Sequence, residues 1–305
     1  MIRIVLLGRT GNNLFQYALG RVLAAKHGVP LVLDASWFNG AGWREVSHFL
    51  KLPIQAEVRR RMHPPARLLR KLTGKHRWQF GGFPWLEEKP ADHAFDPAFL
   101  DAPADCALFG YFQSWRYFAS MEDELRSELK ELLEMGCGQD ARATVARASR
   151  PQPFSITSPD SVAVHVRRGD FLNHPTFQVC DTIYYRNAMD DMRARLGSPR
   201  FYIFSDDPDW CRQTFADSDT AILDSGKAAA NPLHDLHLMS LASHHILANS
   251  SYSWWAAWIG KKPGQQVILP PRWFTKDIHA PMADKDAWES GEHGDASRET
   301  RAKRA

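Results

Sequence analysis

Short apolar runs of strand length, each followed by a stretch with helical spacing, recur along most of the chain. This rhythm constrains the fold more than any other feature. Ile2 to Leu7 is continuously apolar, as in a strand buried on both faces. Gly8 to Asn13 reads as a tight turn. Leu14, Phe15, Ala18, Leu19, Val22 and Leu23 then recur at three- and four-residue spacing, which predicts an amphipathic helix to about His27. Lys26 and His27 suit its negative end, Gly28 suits its stop, and Leu31 to Asp34 is the next strand. The turn is Gly-x-x-Gly, not the Gly-x-Gly-x-x-Gly of dinucleotide binders. It supports a nicotinamide cofactor only weakly, and a packing turn with no ligand fits as well.

The same rhythm continues downstream. Strands are expected at Leu108 to Gln113, Val162 to Val166, Phe201 to Phe204, His245 to Ala248 and Gln266 to Leu269. Helices are expected over Ser120 to Glu134, Ile183 to Leu196, from the Asn231-Pro232 cap pair to about Ser243, and after Asn249-Ser250-Ser251. Strand and helix alternating in both halves indicate two α/β domains with parallel sheets. Gly136 to Pro159, rich in small residues, arginine and proline, is the best boundary. It divides an N-terminal domain over residues 1–155 from a C-terminal domain over 156–280. Residues 281–305 are polar and nearly free of large apolar side chains, so they read as a disordered tail.

With 305 residues, 44% of them hydrophobic and 24% charged, the chain has the makings of a globular enzyme. A net charge of +3 gives no global argument for nucleic-acid binding. No 18-residue apolar run is present, and the four dispersed cysteines suit reduced thiols, so a cytoplasmic protein is expected. Residues 59–77 hold eight Lys or Arg and no acid. They read either as a solvated helical face or as a basic piece that lies on a membrane or meets an anionic acceptor.

Chemistry gathers at strand ends in the second half. Along Val162 to Arg167 the valines alternate with Ala163, His165 and Arg167, so His165 and Arg167 share a face. Arg168-Gly169-Asp170 then turns the chain at the end where open α/β sheets take ligands. Adjacent guanidinium groups there suit phosphate; the bland alternative is a pair of arginines held by local carboxylates, Asp170 among them. Ser205-Asp206-Asp207 and Asn249-Ser250-Ser251 end two further strands. In a parallel sheet all three clusters open on one edge, and a helix N-terminus there welcomes phosphate. That edge suits a nucleoside diphosphate, with carboxylates accepting from ribose or from a guanine's N1–H and amine. Asp206 and Asp207 also fit a divalent metal or the cap of the helix that follows, but a metal-free site is the favoured reading. Trp254, Trp255 and Trp258 read as core. The basic stretch holds few stacking aromatics, which argues against a nucleic-acid binder.

Four motifs together resemble glycosyltransferase family 11, the α-1,2-fucosyltransferases of bacteria and animals. They are Gly8-Arg-Thr-Gly-Asn-Asn-Leu-Phe-Gln-Tyr17, His165-Val-Arg-Arg-Gly-Asp170, Phe204-Ser-Asp-Asp207 and Ala248-Asn-Ser-Ser-Tyr-Ser-Trp-Trp255. Gly110 to Ser114, Asp235 with Met239-Ser240, and Arg272 to Phe274 add to the likeness. Departures are Asn13, where the family often has glutamine, and the Arg9-Thr10 pair. The resemblance implies a GT-B fold, two Rossmann-like domains facing across a cleft, and inverting transfer of L-fucose from GDP-β-L-fucose without a metal or other cofactor. It implies a terminal galactose 2-hydroxyl on a cell-surface glycan as acceptor, with a lipid-linked unit as one form. On that pattern Arg167 and Arg168 hold the pyrophosphate, His165 and Asp235 read guanine, and Ser250 or Ser251, after Asn249, meets the β-phosphate. Asp206 and Asp207 contact the nucleotide or support the arginines, Asn12 meets fucose or acceptor, and Asp170 is the first candidate for the general base. Another GDP-sugar, another linkage, or a non-catalytic nucleotide binder are the rival readings.

Overall fold

The computed structural model describes residues 1–36, 38, 46–60, 83–89, 94–136, 155–223, 232–275 and 287. The tail, most of the basic 59–77 stretch, Asn231 and the centre of the expected linker lie outside them. Among the described residues, ten parallel strands form two sheets. The first contains β1 (Ile2–Val5), β2 (Leu31–Asp34), β3 (Glu57–Arg59), β4 (Trp85–Glu87) and β5 (Cys106–Phe109), in the order β3-β2-β1-β5-β4. The second contains β6 (Ser161–Val166), β7 (Arg200–Ser205), β8 (Thr220–Leu223), β9 (His244–Ile246) and β10 (Val267–Ile268), in the order β10-β9-β6-β7-β8. Helices α1 (Thr10–His27), α2 (Glu122–Gly136), α3 (Thr182–Leu196), α4 (Pro208–Thr214), α5 (Pro232–Leu241) and α6 (Ser251–Ile259) accompany them.

In each sheet the first strand in sequence lies in the middle; the chain winds outward on one side of it, then fills the other side from the edge inward through β4 and β5 in the first sheet and outward through β9 and β10 in the second. The carboxyl ends of β1 and β5, and of β6 and β9, are therefore the switch points where parallel sheets open a crevice. The two crevices face each other in the two-domain, GT-B arrangement.

Apolar periodicity sets the packing. Val162, Val164 and Val166 pack with Tyr185, Met189 and Met192 of α3, while Ala163 belongs to a second core on the opposite face of β6. That second core is continuous from the first sheet to α5 and α6. Phe15 of α1 meets Trp254 and Trp255 with ring centroids 4.9 and 4.8 Å apart, and Phe118 stacks on Trp255 at 5.2 Å. The three tryptophans are core, as expected, and they lock α6 of one domain onto α1 of the other. Gly28 ends α1 in the left-handed conformation, its amide reaching the Ala24 and Ala25 carbonyls.

Two expectations are corrected. The helix after β1 starts at Thr10, so Gly11, Asn12 and Asn13 belong to its first turn and the tight turn is shorter than expected. The strand expected over Leu108 to Gln113 is β5, Cys106–Phe109, and the chain leaves it at Gly110. There Glu88 captures the amides of Tyr111 and Phe112 at 2.7 and 3.1 Å, holding Phe112 at φ +52°. A Cβ on Gly110 would lie 2.5 Å from the Glu88 Cβ, so the close approach requires glycine. Strands β3, β4 and β8, all at sheet edges, were not expected from the sequence.

Candidate active site

The two switch points enclose a cavity of about 700 Å³, within the range of small-molecule sites. From the first domain it is lined by Gly8 to Asn12, Tyr111 and Gln113. From the second come His165, Arg167, Asp170, Ser205, Asp206, Asp235 and Asn249 to Tyr252, with an aromatic wall including Phe171, Phe177, Trp273 and Phe274.

Helices α1 and α6 meet at their N-termini. Ser251 Oγ donates to Asn12 Oδ1 at 2.8 Å, and Gln113 Nε2 donates to the same oxygen at 2.7 Å. A Cβ on Gly11 would lie 2.6 Å from both Ser251 Oγ and the Tyr252 amide, so the approach requires glycine. Gly8, at φ +69°, likewise has no room beside Asn12. Two sets of first-turn amides and two positive dipole ends thus border one cavity, an arrangement that favours an anion. Ser250 caps α6, accepting from the Tyr252 amide at 3.4 Å. Asn12 serves as a junction between domains, its oxygen already accepting two bonds.

Arg167 and Arg168 part company. Arg167 reaches the cavity, with Nη2 2.5 Å from Asp170 and Nη1 2.8 Å from Asp206. Arg168 turns the other way, as strand alternation requires of the next residue. Its guanidinium lies 3.8 Å from the Trp210 ring centroid, and its Nε is 3.0 Å from Asp207. Asp207 also caps α4, accepting from the Trp210 amide at 3.2 Å. Arg168 is therefore corrected from a pyrophosphate ligand to a support of the strand end, because it does not line the cavity, and of the two roles expected for Asp207 the structure shows the support of an arginine. Asp206 lines it and is anchored besides, accepting from the Arg168 and Gly169 amides at 2.9 and 3.1 Å.

His165 is 6% exposed on the cavity wall, and its Nδ1 has no hydrogen-bond partner among the described residues. Burial, with Arg167 nearby, pushes its pKa down to about 4, against the opposite pull of Asp206 and Asp235, so the ring is neutral at pH 7. Asp235, in the first turn of α5, shares the wall. Asn249 points inward: its amide nitrogen donates to the Phe177 and Trp273 carbonyls at 3.0 and 2.9 Å. It fixes the aromatic wall in place and lines the cavity beside Ser250.

The sequence marked Arg9 only as a departure from the family's pattern and gave it no role; its Nη1 lies 3.3 Å from Asp170 Oδ2 across the cleft. The reading of the sequence also left out the wall residues Phe171 and Phe177, and Tyr252, whose ring centroid is 5.5 Å from that of His165. Among the described residues, no three His, Cys, Asp or Glu side chains converge as metal ligands would.

The sequence profile of glycosyl transferase family 11 matches residues 96–290, which carry the arginine strand, both acidic ends and the α6 start. The chain belongs to glycosyltransferase family 11. Its curated relatives include an α-1,2-colitosyltransferase of Escherichia coli, 30% identical over 178 residues, or 56% of this chain and 57% of that protein. The O-antigen biosynthesis glycosyltransferase WbnK of the same species is 24% identical over 303 residues, covering 93% of this chain and 98% of that one. Galactoside α-(1,2)-fucosyltransferase 1 of Plecturocebus brunneus is 31% identical over 186 residues, 57% of this chain and 46% of that protein. The match thus spans about half the length of the first and third of these family relatives.

Proposed function

We propose that this family 11 chain transfers L-fucose from GDP-β-L-fucose to the 2-hydroxyl of a terminal galactose, with inversion and without a metal ion. The observation that carries the reading is the meeting of two helix N-termini and Arg167 around one cavity of nucleotide-sugar size. The diphosphate lies against Arg167 and the start of α6, where charge that develops as GDP leaves is stabilised by groups already in place. Neutral His165, with Asp235 beside it, faces the base. The acceptor approaches from the first domain past Asn12, Tyr111 and Gln113. Its hydroxyl attacks fucose C1, and its proton passes to Asp170, whose carboxylate is held by side chains alone. The acceptor class is a cell-surface glycan, and the basic 59–77 stretch suits a lipid-linked one at the inner face of a membrane. Among the described residues no helix is long and apolar enough to cross a membrane.

A second reading keeps the nucleotide site and changes the sugar. The colitosyltransferase relative favours it. Release of GDP from GDP-fucose with lactose or N-acetyllactosamine, in the presence of EDTA, tests the proposal. Acceptor-dependent release that survives EDTA and disappears in Arg167→Ala supports it. Tight GDP binding without release, but with transfer from a colitosyl donor, supports the second reading. No GDP binding overturns both.

A further inference from the structure

The Asp170 carboxylate is shared between the two domains. One oxygen sits 2.5 Å from Arg167 Nη2 and the other 3.3 Å from Arg9 Nη1, on the residue that precedes α1 across the cleft. The second terminal nitrogen of Arg167 is taken by Asp206 at 2.8 Å. Each terminal nitrogen keeps a second N–H, but a diphosphate that is to take the fork of this guanidinium with two oxygens competes with a carboxylate, and the two carboxylates are not equally held. Asp206 is seated on two backbone amides, and a side chain at Gly169 would come within 2.9 Å of it. Asp170 is 39% exposed and held through arginine side chains, a setting in which ion pairs contribute little. A diphosphate offers the same fork-matching oxygens with more charge. Arg9 is well placed to receive it, because its backbone is tied to the helix start. Its carbonyl accepts from the Asn12 and Asn13 amides at 2.9 and 3.0 Å.

We infer that Arg9 and Arg167 form a two-sided clamp for the donor's diphosphate, and that Asp170 is the internal anion that fills the clamp until the donor arrives. The inference rests on the nucleotide-sugar reading above. Donor binding then releases Asp170 onto the cavity wall, which makes the carboxylate available only when there is a sugar to transfer. It also draws the first domain's own cation onto the ligand.

Calorimetric titration of the full chain with GDP, and separately with inorganic pyrophosphate, tests the clamp in wild type, Asp170→Asn and Arg9→Gln. Removing the internal anion should tighten both ligands about tenfold, and removing Arg9 should weaken both about tenfold, each the size of one charge-assisted hydrogen bond. Unchanged affinities in the two variants overturn the clamp. Weaker binding by Asp170→Asn also overturns it and makes Asp170 a direct donor contact. Circular dichroism checks that the variants fold, with Asp170→Ser and Arg9→Met as substitutes read in the same way. Pyrophosphate binding with the expected shifts but no GDP binding supports the clamp and removes the guanine reading; wild type that binds neither ligand overturns both.

Discussion

Where β1 and β5 end, the first domain holds its crevice together largely with amides. Gln16, fully buried, accepts from the Leu7 amide at 3.1 Å and donates to the Gly110 carbonyl at 2.8 Å, and Asn13 donates to the Leu7 carbonyl at 3.0 Å. Where β6 and β9 end, the second domain uses charges: Arg167 between Asp170 and Asp206, and Arg168 against Asp207. An amide network of buried groups, engaged except for the Asn13 Oδ1, fixes shape and has little to give a ligand. Half-exposed ion pairs are exchangeable, so an anion can enter among them. The difference teaches a division of labour, with one crevice set as a template and the other left open to substitution of its partners. Arg9 is the exception that carries charge from the template side into the exchangeable one.

The largest effect should come from breaking the charged crevice. Arg167→Ala should lower kcat/KM about 10³-fold in the GDP-release assay, as loss of a preorganised donor to developing charge does. Arg168→Ala sharpens the contrast. It should leave more activity and instead cost about 1 kcal/mol of stability through the lost Trp210 stack and Asp207 pair, read from urea midpoints. Wedging the two helix starts apart comes next: Gly11→Ala should cut kcat about 10²-fold with the fold retained by circular dichroism, since displacement by about an ångström is enough. In the amide crevice Gln16→Leu strands the Leu7 amide and the Gly110 carbonyl, and should cost about 3 kcal/mol in urea unfolding before any effect on chemistry is read.

The smallest effect is a pH dependence carried by the second domain. Burial drives His245 down to about 3 and His165 to about 4 from an ordinary 6.5. The bonds of His245 suit the neutral ring, Nε2 facing the Met239 carbonyl at 2.9 Å and Nδ1 the Gln265 amide nitrogen at 3.0 Å, and burial outweighs the upward pull of the Met239 carbonyl. Unfolded histidine takes up its proton near pH 6.5, the folded one only near 4 or below, so the unfolded chain binds more protons in between. Stability is therefore complete above that range and falls as pH drops toward 4. Urea midpoints at pH 7.5 and about pH 5 should differ, and His245→Gln should reduce the difference; equal midpoints for the wild type would contradict the account.

Much of this was legible in the sequence because the signals were local. Alternation along Val162 to Arg167 assigned both faces of β6, and the same parity puts Arg168 behind the strand. Its partner Trp210, 42 positions later, has no sequence signature that links the two. The turn at Gly110 to Gln113 depends on Glu88, and the clamp at Asp170 on Arg9. Both are contacts between segments whose proximity only the fold creates. Edge strands such as Glu57–Arg59 escaped because they are exposed or half-buried and lack the continuous apolar run of a buried strand. The switch points were legible as motifs, but that they meet at Gly11 and Ser251 was not.

The central claim is that the nucleotide lies between the two switch points. Amide hydrogen exchange on the full chain, with and without GDP, tests it most directly. The account predicts added protection at residues 9–13, 165–170 and 249–252, and none over the neighbouring helix Pro208–Thr214. Protection confined to one domain's crevice, or found along Pro208–Thr214 in their place, would contradict it.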